Sequence, residues 1–392
     1  MDERGLLDYA ESIRPWLSAL RRRLHAIPEP GDAEHKTQAE ICSVLDSLGI
    51  PYERRRTSVV GYIEGGAPGP LVGLRADMDA LPVQEPEDRP YRSTHPGMMH
   101  ACGHDAHMTC ALGAARYFSE RAAGLAGSVR LLFQPAEETD GGAAKMIADG
   151  YLENPRVDYV VGCHVMPYLP PGHVEIKKGA LNGSSDKLEI RVFGKSGHAA
   201  YPETAIDAIM IASKVVDGIH SLVSRTVSPL SEAVITIGTI EGGTRNNIIA
   251  DEVRMTGTIR TTDPAVRAEL ASSLRSVVQG ISAAFGGSGE VNIVPGYAAL
   301  INHDSVVELV AREAEALFGT HAVHWKEKPS LGVEDFSFFL MERPGAFYHL
   351  GCGLPGGSGA LHSREFDIDE ACLQAGVALH AAVILGLMEK KP

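Results

Sequence analysis

Residues 127–165 read GSVRLLFQPAEETDGGAAKMIADGYLENPRVDYVVGCHV. GSVRLLFQPAEE is a strand whose apolar run ends on two acids, Glu137 and Glu138. GGAAKMIADGYL predicts a helix, and VDYVVGCHV a second, buried strand that closes on His164. Strand, helix, strand is the repeating unit of an α/β sheet with helices on its faces. Upstream, SVVGYIEG (58–65) and PLVGLRADM (70–78) read as strands and HDAHMTCALGAARYF (104–118) as a helix. Leu6, Leu17, Leu20 and Leu24 predict one helix over 5–26, and a second over 35–48 stops at Gly49 and Pro51. Open sheets of this class place ligands outside the carboxyl ends of their strands, where Glu137, Glu138 and His164 stand.

The pattern changes after residue 180. Strand KLEIRVFG (187–194), helix 204–223, strands AVITIGTIEGG (233–243) and EVRMTGTIR (252–260), helix 263–285 and strand EVNIVPG (290–296) follow in order. This is a complete β-α-β-β-α-β, ferredoxin-like unit. Its insertion predicts a catalytic domain over 1–180 and 297–392 with a second domain over 181–296. A helix at 304–318, strand AFYHLG and a long helix from 369 complete the first domain.

At 392 residues the chain exceeds what a single core holds, which fits two domains. Lys and Arg number 36 against 50 Asp and Glu, a net charge of −14 that argues against nucleic acid or an anionic membrane as partner. The start MDERGLLDYAESIRPW lacks a basic segment followed by an apolar one, and no window reads as a bilayer span. Six scattered cysteines without a disulfide rhythm fit a reduced, cytoplasmic protein.

MHACGHDAHM (99–108) brings His100, Cys102, His104, Asp105 and His107 into ten residues. Thiolate and imidazole suit zinc, cobalt, nickel or manganese-type ions, and Gly103 permits a turn sharp enough for Cys102 and His104 to face one point. PAEET (135–139) offers one carboxylate for an ion and one for the water beside it. His164 closes a buried strand, and His362 in ALHSREFDIDE (360–370) precedes the last helix. Singly, each has an ordinary structural reading: a histidine-rich helix start, a solvated strand end, a hydrogen-bonded imidazole. Together Cys102, His104, Glu138, His164 and His362 are five candidate ligands, about the number that two ions with a bridging group require. A lone structural zinc takes four, at closer spacing. Alternation along its strand points Cys163 into the core.

The sequence resembles the M20 family of metallopeptidases, in the branch of amidohydrolases that includes hippurate hydrolases, N-acyl-amino-acid deacylases and auxin-conjugate hydrolases. LRRRLHAIPEPG, LRADMDALPVQE, MHACGHDAHM, LLFQPAEE, GCHVMPYLPPG, GKSGHAAYP, GGTRNNIIADEV, EDFSFFL and LHSREFDIDE carry the resemblance along almost the whole chain. It implies a dimetal aminopeptidase-like catalytic domain with an inserted ferredoxin-like α+β lid. It implies two divalent ions per chain (Zn, Mn, Co or Ni) on Cys102, His104, Glu138, His164 and His362, with Glu137 as general base. His198 and Asn247 match lid residues that reach toward substrate, the former often serving the neighbouring subunit. A homodimer through the lid is expected, with a tetramer as the larger assembly. The expected reaction is hydrolysis of an amide bond in a small N-acylated amino acid or related conjugate. The chemistry agrees: cations acidify a water, Glu137 takes its proton and passes it to the leaving amine, and nearby donors steady the oxyanion. Cys102, as a thiolate, is expected to bridge the ions. Asp77 and Asp79 are expected to orient ligands or loops, whereas Asp105 and His107 are read either in that role or as helix caps.

The chain departs from the family pattern at Thr139 and Asp140, where a glycine run is usual, at Arg245, Asn246 and Ala250 in the lid, and at Ile27 and Pro30. These leave the ligands and base intact but loosen the transfer of substrate identity. Arg245 is a contact for an anionic or aromatic substrate group, or a solvated lid arginine. Cys102 as a nucleophile with His104 as its base would leave the two acids idle. GKSG (194–197) lacks the earlier glycine of a phosphate loop, since position 189 is Glu, and no G-x-S-x-G elbow is present. A non-catalytic metal-binding dimer would have lost Glu137 or a ligand. The same dimetal site turned to deamination or amidine hydrolysis of a small aromatic compound is the remaining alternative.

Overall fold

The computed structural model describes residues 3–389 and divides into two units. The first runs up to Gly179, then takes in Ile301–Glu327 and the chain from Phe338 onward; the second comprises Ala180–Leu300 and Lys328–Ser337.

An eight-stranded sheet forms the first unit, ordered Tyr52–Arg55, Ser58–Ile63, Ala126–Gln134, Ala67–Asp77, Tyr159–Met166, Gly345–Gly351, Val174–Ile176 and Val323–Trp325. Its four central strands, Ala126–Gln134 through Gly345–Gly351, are mutually parallel. Their carboxyl ends therefore lie along one edge, which is what gathers Asp77, the two acids after Gln134, and His164. The central segments are almost wholly buried and rich in Val, Leu and Phe, as strands covered on both faces are.

Helices His104–Ser119 and Ala371–Met388 pack closely on this core. They approach through small residues: a Cβ on Gly113 would sit 2.3 Å from Val377 Cγ2, and one on Gly376 would sit 2.4 Å from Cys110 Sγ. One helix among the described residues has the length and composition of a bilayer span, yet it lies in the core. Ala371–Met388 has the length and a mean hydropathy of 1.9, but 78% of it is buried inside the protein. Its apolarity serves packing on all sides. The expected helix over 5–26 is also two helices, Glu3–Ser12 and Arg14–His25. Pro15 has no N–H to continue the first ladder and starts the second helix instead, where a missing donor costs nothing.

His380, on the last helix, faces the Tyr348 hydroxyl at 2.7 Å and Cys163 Sγ at 3.6 Å. Cys163 thus points into the core, as alternation requires. Burial, helped by His107, pushes the His380 imidazole down to about 3. A folded-state pKa below the unfolded value of about 6.5 means the unfolded chain takes up a proton that the folded one refuses. Stability from this group is full above about pH 6.5 and falls by about 1.4 kcal/mol per pH unit on acidification toward pH 3. His380→Gln should flatten the pH slope of unfolding free energy between about pH 6 and pH 4 by that amount. Urea titrations at several pH values check it, and an unchanged slope refutes it.

The second unit is a four-stranded antiparallel sheet ordered Ala233–Gly242, Glu252–Thr261, Ser184–Phe193, Ser288–Pro295. Helices Ala208–Arg225 and Pro264–Ala284 complete the ferredoxin-like order. Asp207 and Asp263 cap these helices, accepting backbone N–H bonds from Ile209 and Ala265. Leu188, Ile190, Val192, Ile211, Val215, Ile219, Met255, Leu270 and Leu274 fill a core of their own.

Candidate metal centre

Asp77 ends a central strand, buried. Its Oδ2 accepts from Arg75 at 2.7 Å, and its Oδ1 lies 2.6 Å from His107 Nδ1. The other ring nitrogen of His107, Nε2, accepts the Val165 N–H at 2.8 Å, so its proton sits on Nδ1 and donates to Asp77. Burial holds His107 below its ordinary pKa, in this neutral form. With both nitrogens committed, His107 is a brace between the helix and the strand of His164, which settles the choice left open by the sequence. Arg75 and His107 hold Asp77 far below the usual carboxylate range despite its burial.

The loop after Asp77 returns to the sheet at Cys102, and Gly103 starts helix His104–Ser119 with φ of +85°. A Cβ there would lie 2.4 Å from Val165 Cγ2. Gly103→Ala should therefore cost about 2–5 kcal/mol, the sum of a left-handed Cβ and an overpacked contact. Urea unfolding tests this, and a loss under half a kilocalorie would contradict it.

The two acids do not extend their strand. The ladder stops at Gln134, Ala136 takes φ of +58°, and Glu137 and Glu138 fall in the following turn. That turn frees them from strand alternation. Asp79 clamps it, accepting the Glu137 N–H at 3.1 Å and the Glu138 N–H at 2.9 Å, while Glu34 accepts the Ala136 N–H at 2.8 Å. Burial pushes the Glu34 carboxyl up. No local pattern marked Glu34, because its partner lies 102 residues away.

His164 donates from Nδ1 to the Val165 carbonyl at 2.8 Å, leaving Nε2 toward Cys102 Sγ at 3.2 Å. His362, with φ of +65°, reaches the same sulfur at 3.3 Å and Glu138 Oε1 at 3.1 Å. His104 Nε2 lies 3.9 Å from Glu138 Oε1, and its Nδ1 lies 3.4 Å from Asp79. Donor atoms fall into overlapping groups within 4.8 Å: Cys102–His104–His164, Cys102–Glu138–His362, and His104–Glu137–Glu138. Cys102 belongs to the first two. His100 belongs to no such group among the described residues.

These residues fit divalent cations. Both ring nitrogens of His104 are buried without a hydrogen bond, an arrangement that is costly unless something else satisfies them. The donors are one sulfur, three imidazoles and carboxylates, a set that suits first-row metals. Burial pushes the Cys102 thiol well up and His164 well down, while His362 and His104 outweigh burial to keep Glu138 ionised below its usual range. His164 is thus neutral and ready to donate its lone pair, and Cys102 is the group that cations would have to ionise.

Asp105 is neither ligand nor cap. Its Oδ2 lies 2.7 Å from both Arg21 Nε and His25 Nδ1, and His25 Nε2 lies 2.9 Å from Glu85. Burial and Arg21 oppose a charge on His25, but Asp105 and Glu85 prevail and its pKa is raised. In the second unit, Ile248 pairs with His198, and the Ala199 N–H donates to the Asn247 carbonyl. His198 Nδ1 accepts the Ala200 N–H at 3.1 Å, so the neutral ring carries its proton on exposed Nε2. Arg245, Asn246 and Asn247 are exposed.

The profile of Peptidase family M20/M25/M40 matches residues 73–386. The Synechocystis sp. protein named Probable hydrolase sll0100 is 41% identical over 377 residues, 95% of each chain. N-acetyl-L-cysteine deacetylase of Bacillus subtilis is 39% identical over 364 residues, 92% of this chain and 86% of that one. Among solved structures, the Bacillus subtilis YXEP protein, described as a dinuclear metal binding peptidase from the M20 family, superposes with a TM-score of 0.85 at 32% identity, covering 97% of this chain and 99% of that one.

Proposed function

The chain belongs to peptidase family M20/M25/M40 and is a metal-dependent amidohydrolase, and from that premise we propose that it cleaves the amide bond of a small N-acylated amino acid or related conjugate. The observation that carries this reading is the pair of donor triads sharing Cys102, with Glu137 beside His104 and Glu138. In this reading Cys102, His104 and His164 hold one cation, and Cys102, Glu138 and His362 the other. Two divalent ions held there, Zn, Mn, Co or Ni, would supply the Lewis acidity for a hydrolytic reaction. Glu137 takes a proton from water and returns it to the departing amine, so a single carboxyl serves as base and then acid. Asp79 fixes its backbone and thus the direction from which it works. His198, protonated at Nε2, and Asn247 act as donors to the carbonyl oxygen as charge builds there. The deacetylase name borne by one relative favours a short acyl group on an amino acid.

The division into a catalytic domain, 1–180 with 297–392, and a lid, 181–296, belongs to the same proposal. So does a homodimer through the lid: Ala233–Gly242 is an edge strand, with Val234 and Ile240 exposed. Light scattering after gel filtration tests this, with a monomer at working concentration as the contrary result.

The direct test is hydrolysis of N-acetyl amino acids, N-aroyl amino acids and indole-acyl conjugates, with and without chelator, followed by restoration with each metal. Activity lost on chelation and recovered with metal supports the proposal and selects the acyl group. Release of ammonia with no carboxylate product would transfer the site to deamination. Two bound ions with no turnover of any pool would favour a non-catalytic metal-binding dimer.

A further inference from the structure

Of the five candidate donors, His362 has the least backbone support. His104 opens a helix, His164 lies within a strand, Glu138 sits in a turn clamped by Asp79, and Cys102 lies next to the residue that caps the helix, Gly103. Residues 352–370 contain neither helix nor strand, and His362 itself stands at φ of +65°. One main-chain bond, from the His362 N–H to the Ala101 carbonyl at 2.8 Å, ties it directly to the Cys102 loop.

A second tie is made by Arg21, a fully buried guanidinium on the N-terminal helix Arg14–His25. Its Nε donates to Asp105, the residue after His104, at 2.7 Å. Another of its nitrogens, NH2, reaches Oδ1 of Asp367, five residues after His362, at 3.4 Å. The Tyr91 hydroxyl donates to Oδ2 of Asp367 at 2.8 Å, and the guanidinium lies 4.9 Å from the Tyr91 ring centroid. A single cation thus spans the two stretches of chain that must meet for Cys102 and His362 to share a point. A buried arginine among three carboxylates, Asp105, Asp367 and Glu370, is costly to desolvate, and removing one partner leaves the others imperfectly balanced.

We propose that Arg21 and Asp367, with Tyr91, form a latch that positions His362, so that the cation held by Cys102, Glu138 and His362 depends on it and the cation held by Cys102, His104 and His164 does not. The inference rests on the dimetal reading above. Arg21, Asp367 and Tyr91 are positioning residues and contact neither ion nor substrate.

The test is equilibrium dialysis of cobalt(II) into metal-free wild type, Asp367→Asn and Tyr91→Phe, with thiolate-to-cobalt absorption followed alongside. Wild type should take up two ions. Asp367→Asn should bind the first with unchanged affinity and the second at least tenfold more weakly, with the thiolate band reduced at a fixed cobalt concentration, and Asp367→Glu should recover part of the loss. Tyr91→Phe removes one hydrogen bond and should weaken the same step by about three- to tenfold. It carries the test should Asp367→Asn fail to fold. Both steps within twofold of wild type, or equal weakening of both in a folded variant, would overturn the latch. Fewer than two ions on wild type would instead overturn the dimetal reading on which it rests.

Discussion

Glu137→Gln is expected to give a folded protein that still takes up two ions and whose kcat falls by about 10²–10⁴-fold, the range contributed by a positioned proton carrier. Glutamine keeps the shape of the side chain and the backbone bond to Asp79, so the turn that carries Glu138 survives. What it lacks is a carboxylate to take a proton from water and return it to the amine. Because that loss falls on the transition state, KM should change little. Steady-state kinetics on a competent N-acyl substrate, with metal analysis of the same preparation, give the answer. A kcat within twofold of wild type would remove Glu137 from the mechanism, and loss of bound metal would make it a ligand instead.

A larger structural effect is expected at Cys102. Its sulfur is common to two donor triads, lying 3.2 Å from His164 Nε2 and 3.3 Å from His362 Nε2. Cys102→Ala should reduce uptake to less than one ion per chain and abolish detectable activity, because both positions lose a ligand at once. Cys163→Ala, one residue from His164 but turned toward His380, should bind two ions as wild type does. Metal analysis of the two variants after the same dialysis separates them. Two ions on Cys102→Ala would show that the sulfur bridges nothing.

Much of this arrangement was legible because its signals are local. The parallel strands announce themselves as apolar runs, with Glu138 and His164 at their carboxyl ends, and Cys102 and His104 stand out by falling within one ten-residue stretch. The ferredoxin-like unit was legible because each of its six elements is long enough to show a period. Three-residue strands such as Val174–Ile176 and Val323–Trp325 are not, since three residues cannot establish alternation. The final helix, Ala371–Met388, is as apolar as a bilayer span because it is buried on nearly all sides, a condition that only the fold reveals. The turn at Ala136 could not be read at all. Pro135, with no N–H to give the ladder, marks why it stops at Gln134, but nothing in PAEE shows the left-handed turn at Ala136, which is held by carboxylates at Glu34 and Asp79, far away in sequence. The Arg21 contacts have the same character. Nothing in the run Arg21–Arg23 distinguishes its members, and only the fold shows that Arg21 is buried between Asp105 and Asp367.

The separation of Cys102 from His362 has a consequence for synthesis. The two atoms lie 3.3 Å apart across 260 residues of chain. At about 5–20 residues per second, a growing polypeptide waits roughly 10–50 s between making the first and making the second. Throughout that interval Cys102 has no His362 to meet, and its thiol is open to oxidants and to any passing ion. The inserted unit, made in the meantime, must fold without disturbing a sheet still lacking the strand Gly345–Gly351. Completion of the centre therefore waits for residue 362 to be made, and a chain released before it carries four of the five candidate donors.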